Sequence, residues 1–246
     1  MTDAYIELHA HSAFSFLEGA SVPEELAGAC AEFGMPAMAL VDRNGLYGAP
    51  RFHMAARKAG VRAHIGSEIT CASGRTYPLL AETREGYQNL CRLVTRMKLR
   101  SKKGEGAALP EEFGEFSEGL VCLTGDVPVE KLPFLLNTYG PRNLYAELQR
   151  HHVREEEARN QALIDFAHAH RVPLLATNGV SHADLQAREA MDALTCVRHK
   201  VKINEAGRLL CQNSERYFKS AQQMHRLFSD LPEAISNTVE LSSRLR

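Results

Sequence analysis

Residues 5–12 read YIELHAHS, a short apolar run that ends in two histidines separated by one residue. The run predicts a β-strand over Tyr5–His9. Alternate side chains of a strand share a face, so we expect the imidazoles of His9 and His11 to lie about 6.5 to 7 Å apart along the backbone, where both can bind one ion. The alternative is that both histidines are solvated on an exposed face.

Further apolar runs alternate with helical patterns as far as about residue 200. Most are continuous, which is typical of strands covered on both faces and favours a parallel sheet. Six more strands are predicted at Ala37–Asp42, Arg62–Thr70, Tyr77–Ala81, Leu120–Thr124, Leu144–Leu148 and Pro173–Thr177. This repeated order predicts an α/β barrel or a doubly wound sheet.

The helices carry their own signals. Ser21, followed by Pro23 and Glu24, predicts a helix N-terminus with Ser21 as the cap. Apolar stripes predict further helices at 87–97, 163–170, 220–229 and 232–245, whereas the Gly- and Glu-rich residues 101–119 predict a surface loop. The last helix has no C-cap signal, so we expect the chain to be an N-terminal piece of a longer protein.

The composition is that of an ordinary globular protein, with 246 residues, 44% hydrophobic and 24% charged, and a formal net charge of −1. This excludes a disordered chain and gives no overall attraction to nucleic acid, so any DNA contact must come from a local patch. The basic cluster Arg92–Lys103 is either such a patch or a solvated helix end, and solvated helix ends are the more common case.

The six cysteines are scattered without CxxC spacing. This argues against a disulfide framework and a zinc ribbon, and it favours a reducing, cytoplasmic compartment. The sequence shows neither an export signal nor an apolar run long enough to span a bilayer, so we expect no membrane contact.

Acidic and histidine residues recur where later strands end. Asp42 ends the strand that begins at Ala37, Glu68 lies near the end of the next strand, and His151 follows Leu144–Leu148. Each alone is explained as a cap or a salt-bridge partner. Because the carboxyl ends of barrel strands meet at one rim, their recurrence predicts one shared site.

Five motifs give the sequence a family resemblance. HAHSAFSFLEGAS (9–21), LVDRNGLYG (40–48), IGSEIT (65–70), YAELQRHH (145–152) and LLATNGVSHA (174–183) resemble, in order, motifs of the PHP (polymerase and histidinol phosphatase) domain at the N-terminus of bacterial DnaE-type polymerase III α subunits. Residues 215–245 resemble the segment that leads from that domain toward the polymerase palm. The sequence is most similar to the error-prone, ImuC-like branch, over essentially the whole chain.

The resemblance implies a distorted seven-stranded β/α barrel over residues 1–203, with a C-terminal helical extension over 204–246. In the family, up to nine ligands at the strand ends hold three metal ions that hydrolyse phosphoesters, including 3′ to 5′ exonuclease cleavage. By position, the implied metal ligands are His9, His11, Glu18, Glu68 and His151, with Asp42 next to them. The implied cofactor is zinc or manganese at a residual site, or no metal.

This chain departs from the family pattern at four ligand positions. Arg43, Arg96, Gly179 and Ser181 stand where the family has metal ligands. His182 or Asp184 could replace the last two only by a one-residue slip, which turns a strand side chain to the other face. The resemblance therefore implies a degenerate metal site.

An arginine in a metal pocket is informative because it stays protonated and cannot bind a metal. A guanidinium ~4 Å from a divalent ion would be repelled by roughly 8 kcal/mol at an effective dielectric constant of 20. We therefore expect arginines to replace the charge of the metal by pairing with Glu18, Asp42 and Glu68. The alternative is that Arg43 points to solvent and that one ion remains on Glu68 and the two histidines of the first motif.

We interpret the chain as the PHP domain of an error-prone DnaE-like DNA polymerase of translesion and repair synthesis, with a structural role. Its partners are then the rest of the polymerase chain and, through the full-length protein, DNA. One alternative is an active metal-dependent phosphoesterase or 3′ to 5′ exonuclease, and another is a free-standing phosphatase like histidinol phosphatase. The sequence has no acidic palm motif, so this chain alone is not expected to polymerise DNA.

Overall fold

A computed structural model describes residues 4–102 and 104–245. Within them, a curled sheet of six strands runs in the order β1-β2-β3-β4-β5-β6 and is surrounded by helices. The strands are β1 (Ala37–Arg43), β2 (Arg62–Thr70), β3 (Thr76–Ala81), β4 (Leu120–Leu123), β5 (Leu144–Leu148) and β6 (Leu174–Ala176). The predicted α/β class is confirmed, and six of the seven predicted strands are present.

The first predicted strand, Tyr5–His9, is not a regular strand. The segment is nevertheless buried beside β1, where Glu7 O accepts from Ala39 N at 2.9 Å, and on its other side His9 O accepts from Val180 N at 3.0 Å. The ladder is interrupted because His9 N donates to the Glu7 carboxylate, at 2.8 Å, instead of to a neighbouring strand. The chain thus bridges β1 and the residues after β6 without adding a seventh strand.

The sheet is mixed, so the expectation of a parallel sheet is wrong for β3. This strand pairs antiparallel with both β2 and β4, whereas the other pairs are parallel. Only residues 71–75 connect β2 to β3, and a parallel crossover needs a dozen residues or more. The apolar run at 77–81 would be buried on both faces whether the strand were parallel or antiparallel, so its composition does not indicate the strand direction.

Ten helices occur in the described residues, with 3-10 turns at 129–131 and 207–209. Their bounds are α1 Pro23–Glu32, α2 Ala49–Lys58, α3 Arg84–Arg100, α4 Pro110–Glu115, α5 Leu132–Tyr139, α6 Arg154–His170, α7 Arg188–His199, α8 Ile203–Ala206, α9 Ala221–Leu227 and α10 Pro232–Arg244. None of the described helices is long and apolar enough to cross a membrane.

Two predictions about helices need correction. The cap of α1 is Val22, whose N–H donates to Glu25, while the hydroxyl of Ser21 accepts from Ala183 N instead. The predicted surface loop at 101–119 contains α4, and Phe113 of this helix is fully buried in the core. Leu109, Phe113 and Phe116 do recur at helical spacing here, but the surrounding glycines and charged residues are more typical of a loop.

The basic cluster predicted at Arg92–Lys103 lies largely on α3. Arg96 pairs with Glu115, and Arg100 pairs with Glu112 at 2.6 Å. Lys103 lies outside the described residues. Neighbouring carboxylates thus balance part of the positive charge, which favours the interpretation as a solvated helix end.

The core has two layers. One face of the sheet packs against the helices, and the concave face gathers alternate residues of five strands together with Ile6 and Leu8. Leu241 and Leu245, at the end of the chain's last helix, complete that inner cluster. Because α10 also bonds Leu174 O and His64, at the amino ends of β6 and β2, it covers this end of the curled sheet, the floor, and leaves the opposite end, the rim, open.

Candidate functional site

Three potential metal ligands converge at the open rim, where the parallel strands end. One ligand atom from each of His9, His11 and Glu68 lies within 4.8 Å of the others. The Nε2 atoms of both histidines and Oε2 of Glu68 are buried and make no hydrogen bond. Zinc and manganese both bind imidazole nitrogen and carboxylate oxygen as ligands. The structure therefore contains a group able to hold one metal ion.

His9 is oriented by a carboxylate that comes from β5. Its Nδ1 lies 2.7 Å from Oε1 of Glu147 on β5, which turns Nε2 toward Glu68 at 3.6 Å. Such a carboxylate behind a histidine fixes the ring of many metal ligands. Burial opposes a charged His9, but Glu147 and Glu68 outweigh it and raise the pKa of His9 to about 10. A metal would thus have to displace a proton from this ring.

Unlike His9, His11 has a lowered pKa, and so does Glu68. Burial lowers the pKa of His11 to about 4, so this ring is neutral at pH 7 and keeps a lone pair for a metal. Burial alone would raise the pKa of Glu68, but its interactions with His9, His11 and Arg43 hold it well below its usual range. Glu68 is therefore a carboxylate at any moderate pH.

Arg43 reaches into the same rim from the end of β1. Its Nε lies 2.7 Å from Oε2 of Glu18, and its Nη2 lies 2.8 Å from Oε2 of Glu68. Both contacts are ionic rather than well-directed hydrogen bonds, since neither Nε of Arg43 nor Oε2 of Glu68 has a hydrogen-bond partner. Arg198 of α7 contacts the other oxygen of Glu18 at 2.8 Å. The guanidinium of Arg43 thus lies between two carboxylates instead of pointing to solvent.

Asp42 lies at this rim but is not part of the three-residue group. Its carboxylate accepts from Ser12 N and from the hydroxyl of Ser15, both at 2.7 Å. The expected pairing of an arginine with Asp42 does not occur, because these serines occupy its oxygens. Asp42 therefore shapes the loop that precedes Glu18.

The other residues singled out in the sequence lie in different settings. Both ring nitrogens of His151 contact oxygen atoms, Oε1 of Glu156 at 2.6 Å and the carbonyl of Asn178 at 2.9 Å, so neither is free for a metal. Gly179 and Ser181 line the cavity at the rim. Arg96 is on the exposed side of α3 and does not reach the cavity.

The cavity at this rim has a volume of about 610 Å³ and a roof that the sequence did not indicate. The roof residues come from α7 and from the segment that follows α8: Met191, Thr195, Arg198, His199, Leu209 and Cys211. Sequence reasoning also missed Glu147 and Arg216, although Glu147 stands out as the charged residue of an apolar strand. No local pattern marks Arg198, because it meets Glu18 only through the fold.

Comparisons with known proteins agree with this geometry. Residues 7–150 match the family described as PHP domain. The chain is 39% identical over 257 residues to an error-prone DNA polymerase of Anaeromyxobacter sp. (strain K), which covers 98% of this chain and 22% of that protein. It is 34% identical over 275 residues to the DNA polymerase III subunit alpha of Caulobacter vibrioides, covering 99% of this chain and 24% of that one. The chain thus spans about a quarter of the length of these relatives.

Solved structures share the fold at low sequence identity. A candidate metal-dependent phosphoesterase from Bifidobacterium adolescentis has a TM-score of 0.54 at 13% identity, covering 72% of this chain and 87% of its own. A two-domain protein from Bacteroides vulgatus that contains a predicted PHP-like metal-dependent phosphoesterase has a TM-score of 0.51 at 14% identity, covering 73% and 52%. At these identities the likeness concerns the fold alone.

Proposed function

We propose, given that this chain belongs to the PHP domain family, that it is the N-terminal PHP domain of an error-prone DNA polymerase and has a structural role there. Similarity to such polymerases over 98% of the chain supports this proposal. In it, the barrel of residues 1–203 is followed by the extension 204–246, which leads toward the polymerase palm. The regular sheet of six strands is then the family's seven-stranded barrel, with residues 5–10 in the place of the remaining strand.

The main support for a structural role is the small number of potential metal ligands. Only one group of three potential ligands occurs among the residues that the structure describes, namely His9, His11 and Glu68. Hydrolysis by two or three ions needs further donors that hold the other ions. Asp42 and His151, which could add them, are already engaged by serines, Glu156 and a backbone carbonyl. This donor set fits a single ion and does not fit a cluster of three.

A single zinc or manganese ion would be held by the Nε2 atoms of His9 and His11 and by Glu68. When bound, such an ion supplies Lewis acidity and lowers the pKa of a coordinated water. Glu147 would keep His9 oriented, and His11 is already neutral at pH 7 because of its burial. Arg43 opposes this ion through its charge, so we expect no hydrolytic step at the site.

The test is a nuclease and metal assay on this chain. We expect no release of nucleotides from 3′-ended single-stranded DNA in manganese or zinc, because the donors for a second ion are missing. Elemental analysis of the purified protein is expected to give less than one metal ion per chain. Digestion that is lost on His9→Ala would instead establish a working exonuclease.

A working phosphoesterase or exonuclease is the second candidate function. The unpartnered Nε2 atoms of two buried histidines favour it, since buried polar atoms are rarely left without partners. A free-standing phosphatase is less well supported, because the similarity to polymerases continues beyond the barrel to the last helix.

The wider setting follows from the polymerase assignment. The partner of this domain would be the remainder of the polymerase chain, a nucleotidyltransferase, and DNA would be bound by the full-length protein. The reaction would be translesion synthesis in DNA replication and repair in the cytoplasm. The six free cysteines of the described residues are compatible with a reducing compartment.

A further inference from the structure

The guanidinium of Arg43 and a metal ion would need the same carboxylate. Oε2 of Glu68 is 2.8 Å from Nη2 of Arg43 and 3.7 Å from Nε2 of His11. A metal bound by His11 and Glu68 would therefore lie within a few ångströms of a permanent positive charge. Both cannot be accommodated with Arg43 in its present position.

The guanidinium of Arg43 already supplies the positive charge that a metal cation would supply here. Glu18 and Glu68 are 15% and 9% exposed in their side chains, and Arg43 contacts both. Buried carboxylates need a nearby positive charge or they are strongly destabilising. Arg43 meets that need without an ion. His9, the other positive group at Glu68, lies farther from it, at 3.6 Å.

The same guanidinium connects the rim to the roof of the cavity. Glu18 receives Arg43 on one oxygen and Arg198 of α7 on the other. Moving Arg43 away from Glu18 would leave this carboxylate to Arg198 alone. The ionic contacts therefore form one chain, from Glu68 through Arg43 and Glu18 to α7.

We propose that Arg43 is a built-in substitute for the charge of a metal ion, and that zinc and the Arg43 guanidinium exclude each other at Glu68. The residues that would hold zinc are still in place, so the excluded site is latent rather than lost. This inference deepens the proposed function, since it explains how the rim stays stable without catalytic metals. It also predicts that metal binding returns when only the guanidinium is removed.

Zinc rescue of an Arg43 variant tests the proposal. Melting temperatures of the wild-type chain, Arg43→Ala and Arg43→His are measured in EDTA and in zinc, and zinc affinity is measured by calorimetry. We expect Arg43→Ala to melt several degrees lower than wild type in EDTA and to recover in zinc. Zinc should bind both variants at least tenfold more tightly than wild type, whose melting temperature zinc should leave unchanged.

Two controls locate the effect. Arg96→Ala removes an arginine that also pairs with a glutamate, but far from the rim, and should not respond to zinc. Adding His9→Ala to Arg43→Ala should abolish the rescue, since His9 is one of the three donors. If Arg43→Ala does not fold in EDTA, recovery of folded protein on refolding in zinc gives the same information.

The possible results separate this inference from the proposed function. Zinc that stabilises wild type as much as Arg43→Ala, with no nuclease activity in either, would overturn the exclusion and leave the structural role intact. Nuclease activity of the wild-type chain would overturn the structural role instead. A melting temperature of Arg43→Ala equal to that of wild type in EDTA, with no zinc effect, would show that Arg43 does not replace a cation.

Discussion

Asp42 does not line the cavity, but its hydrogen bonds hold the loop at the cavity mouth. Its two oxygens accept from Ser12 N at 2.7 Å, from the Ser12 hydroxyl at 2.8 Å and from the Ser15 hydroxyl at 2.7 Å. These bonds fold back the loop that carries Glu18 to Arg43. Asp42 is 2% exposed, so its charge depends on these donors and not on water.

We expect Asp42→Asn to lower the free energy of unfolding by about 2 to 3 kcal/mol, because the new amide N–H would face donors and leave a buried group unpaired. Urea denaturation measures this effect. Asp126→Asn is the matched control, since the Asp126 side chain is 83% exposed and its pair with Arg159 should contribute less than about 1 kcal/mol. Equal effects of the two substitutions would contradict the assigned role of Asp42.

Those rim residues that belong to short sequence motifs could be predicted from the sequence. His9, His11 and Glu68 follow from the HxH spacing and from a carboxylate near a strand end, and the structure brings them together. Glu147 and His9 are separated by 138 residues, and only the fold of the sheet makes them neighbours. Arg198 and Glu18 meet for the same reason, and a helix surface with many charges gives no hint of such a partner.

The first turn of helix α3 packs against the rest of the protein through backbone atoms of a glycine. Gly86 lies against the backbone of Gly119, and a Cβ on Gly86 would overlap the carbonyl of Gly119. Thr83 caps the same turn by accepting from Gly86 N at 3.1 Å. Close approach of two backbone segments is thus what fixes α3 next to β4.

Gly86→Ala is expected to destabilise the protein by about 3 kcal/mol, since the added methyl group meets backbone that cannot turn away. Gly28→Ala in α1 is the control, because a Cβ there has nothing within 4 Å. The control should be neutral or stabilise by up to about 1 kcal/mol through helix propensity. Thermal melts of both variants check the pair, and a loss at Gly28 comparable to that at Gly86 would count against the docking argument.

Element boundaries were predictable where apolar runs are bounded by polar residues. Arg62–Thr70 and Leu144–Leu148 are strands with the predicted bounds. Strand direction was not predictable, since β3 is as apolar as the strands that pair in parallel elsewhere in the sheet. The first predicted strand failed because a side chain, that of Glu7, competes with the backbone for the N–H of His9. Such competition depends on rotamers that a hydrophobic pattern does not record.

The two ends of the curled sheet are stabilised differently. The rim is held by charges, whereas the floor is sealed by leucines of α10 and a few buried polar contacts. One of these joins Nε2 of His64 to the hydroxyl of Ser242 at 2.8 Å. Burial, and to a smaller extent the charge of Arg62, lowers the pKa of His64 to about 4.

His64 should make the floor acid-sensitive. Its pKa is about 4 in the folded chain and about 6.5 in the unfolded chain, so the unfolded state binds more protons between these values. Stability from this group is complete above pH 6.5 and falls as the pH drops toward 4. We expect wild type to lose about 2 kcal/mol more than His64→Gln between pH 7 and pH 5, measured by urea denaturation at each pH. Parallel losses in the two proteins would refute this.

The sealed floor also has a consequence for synthesis on the ribosome. Ile6 N donates to the hydroxyl of Thr238, 232 residues away, so the first buried segment and the C-terminal helix α10 meet in one hydrogen bond. All six strands leave the ribosome before α10 does, and their inner apolar face stays without Leu241 and Leu245 during that time. Nascent chains of this kind depend on late, long-range contacts, which form slowly and expose apolar surface to chaperones.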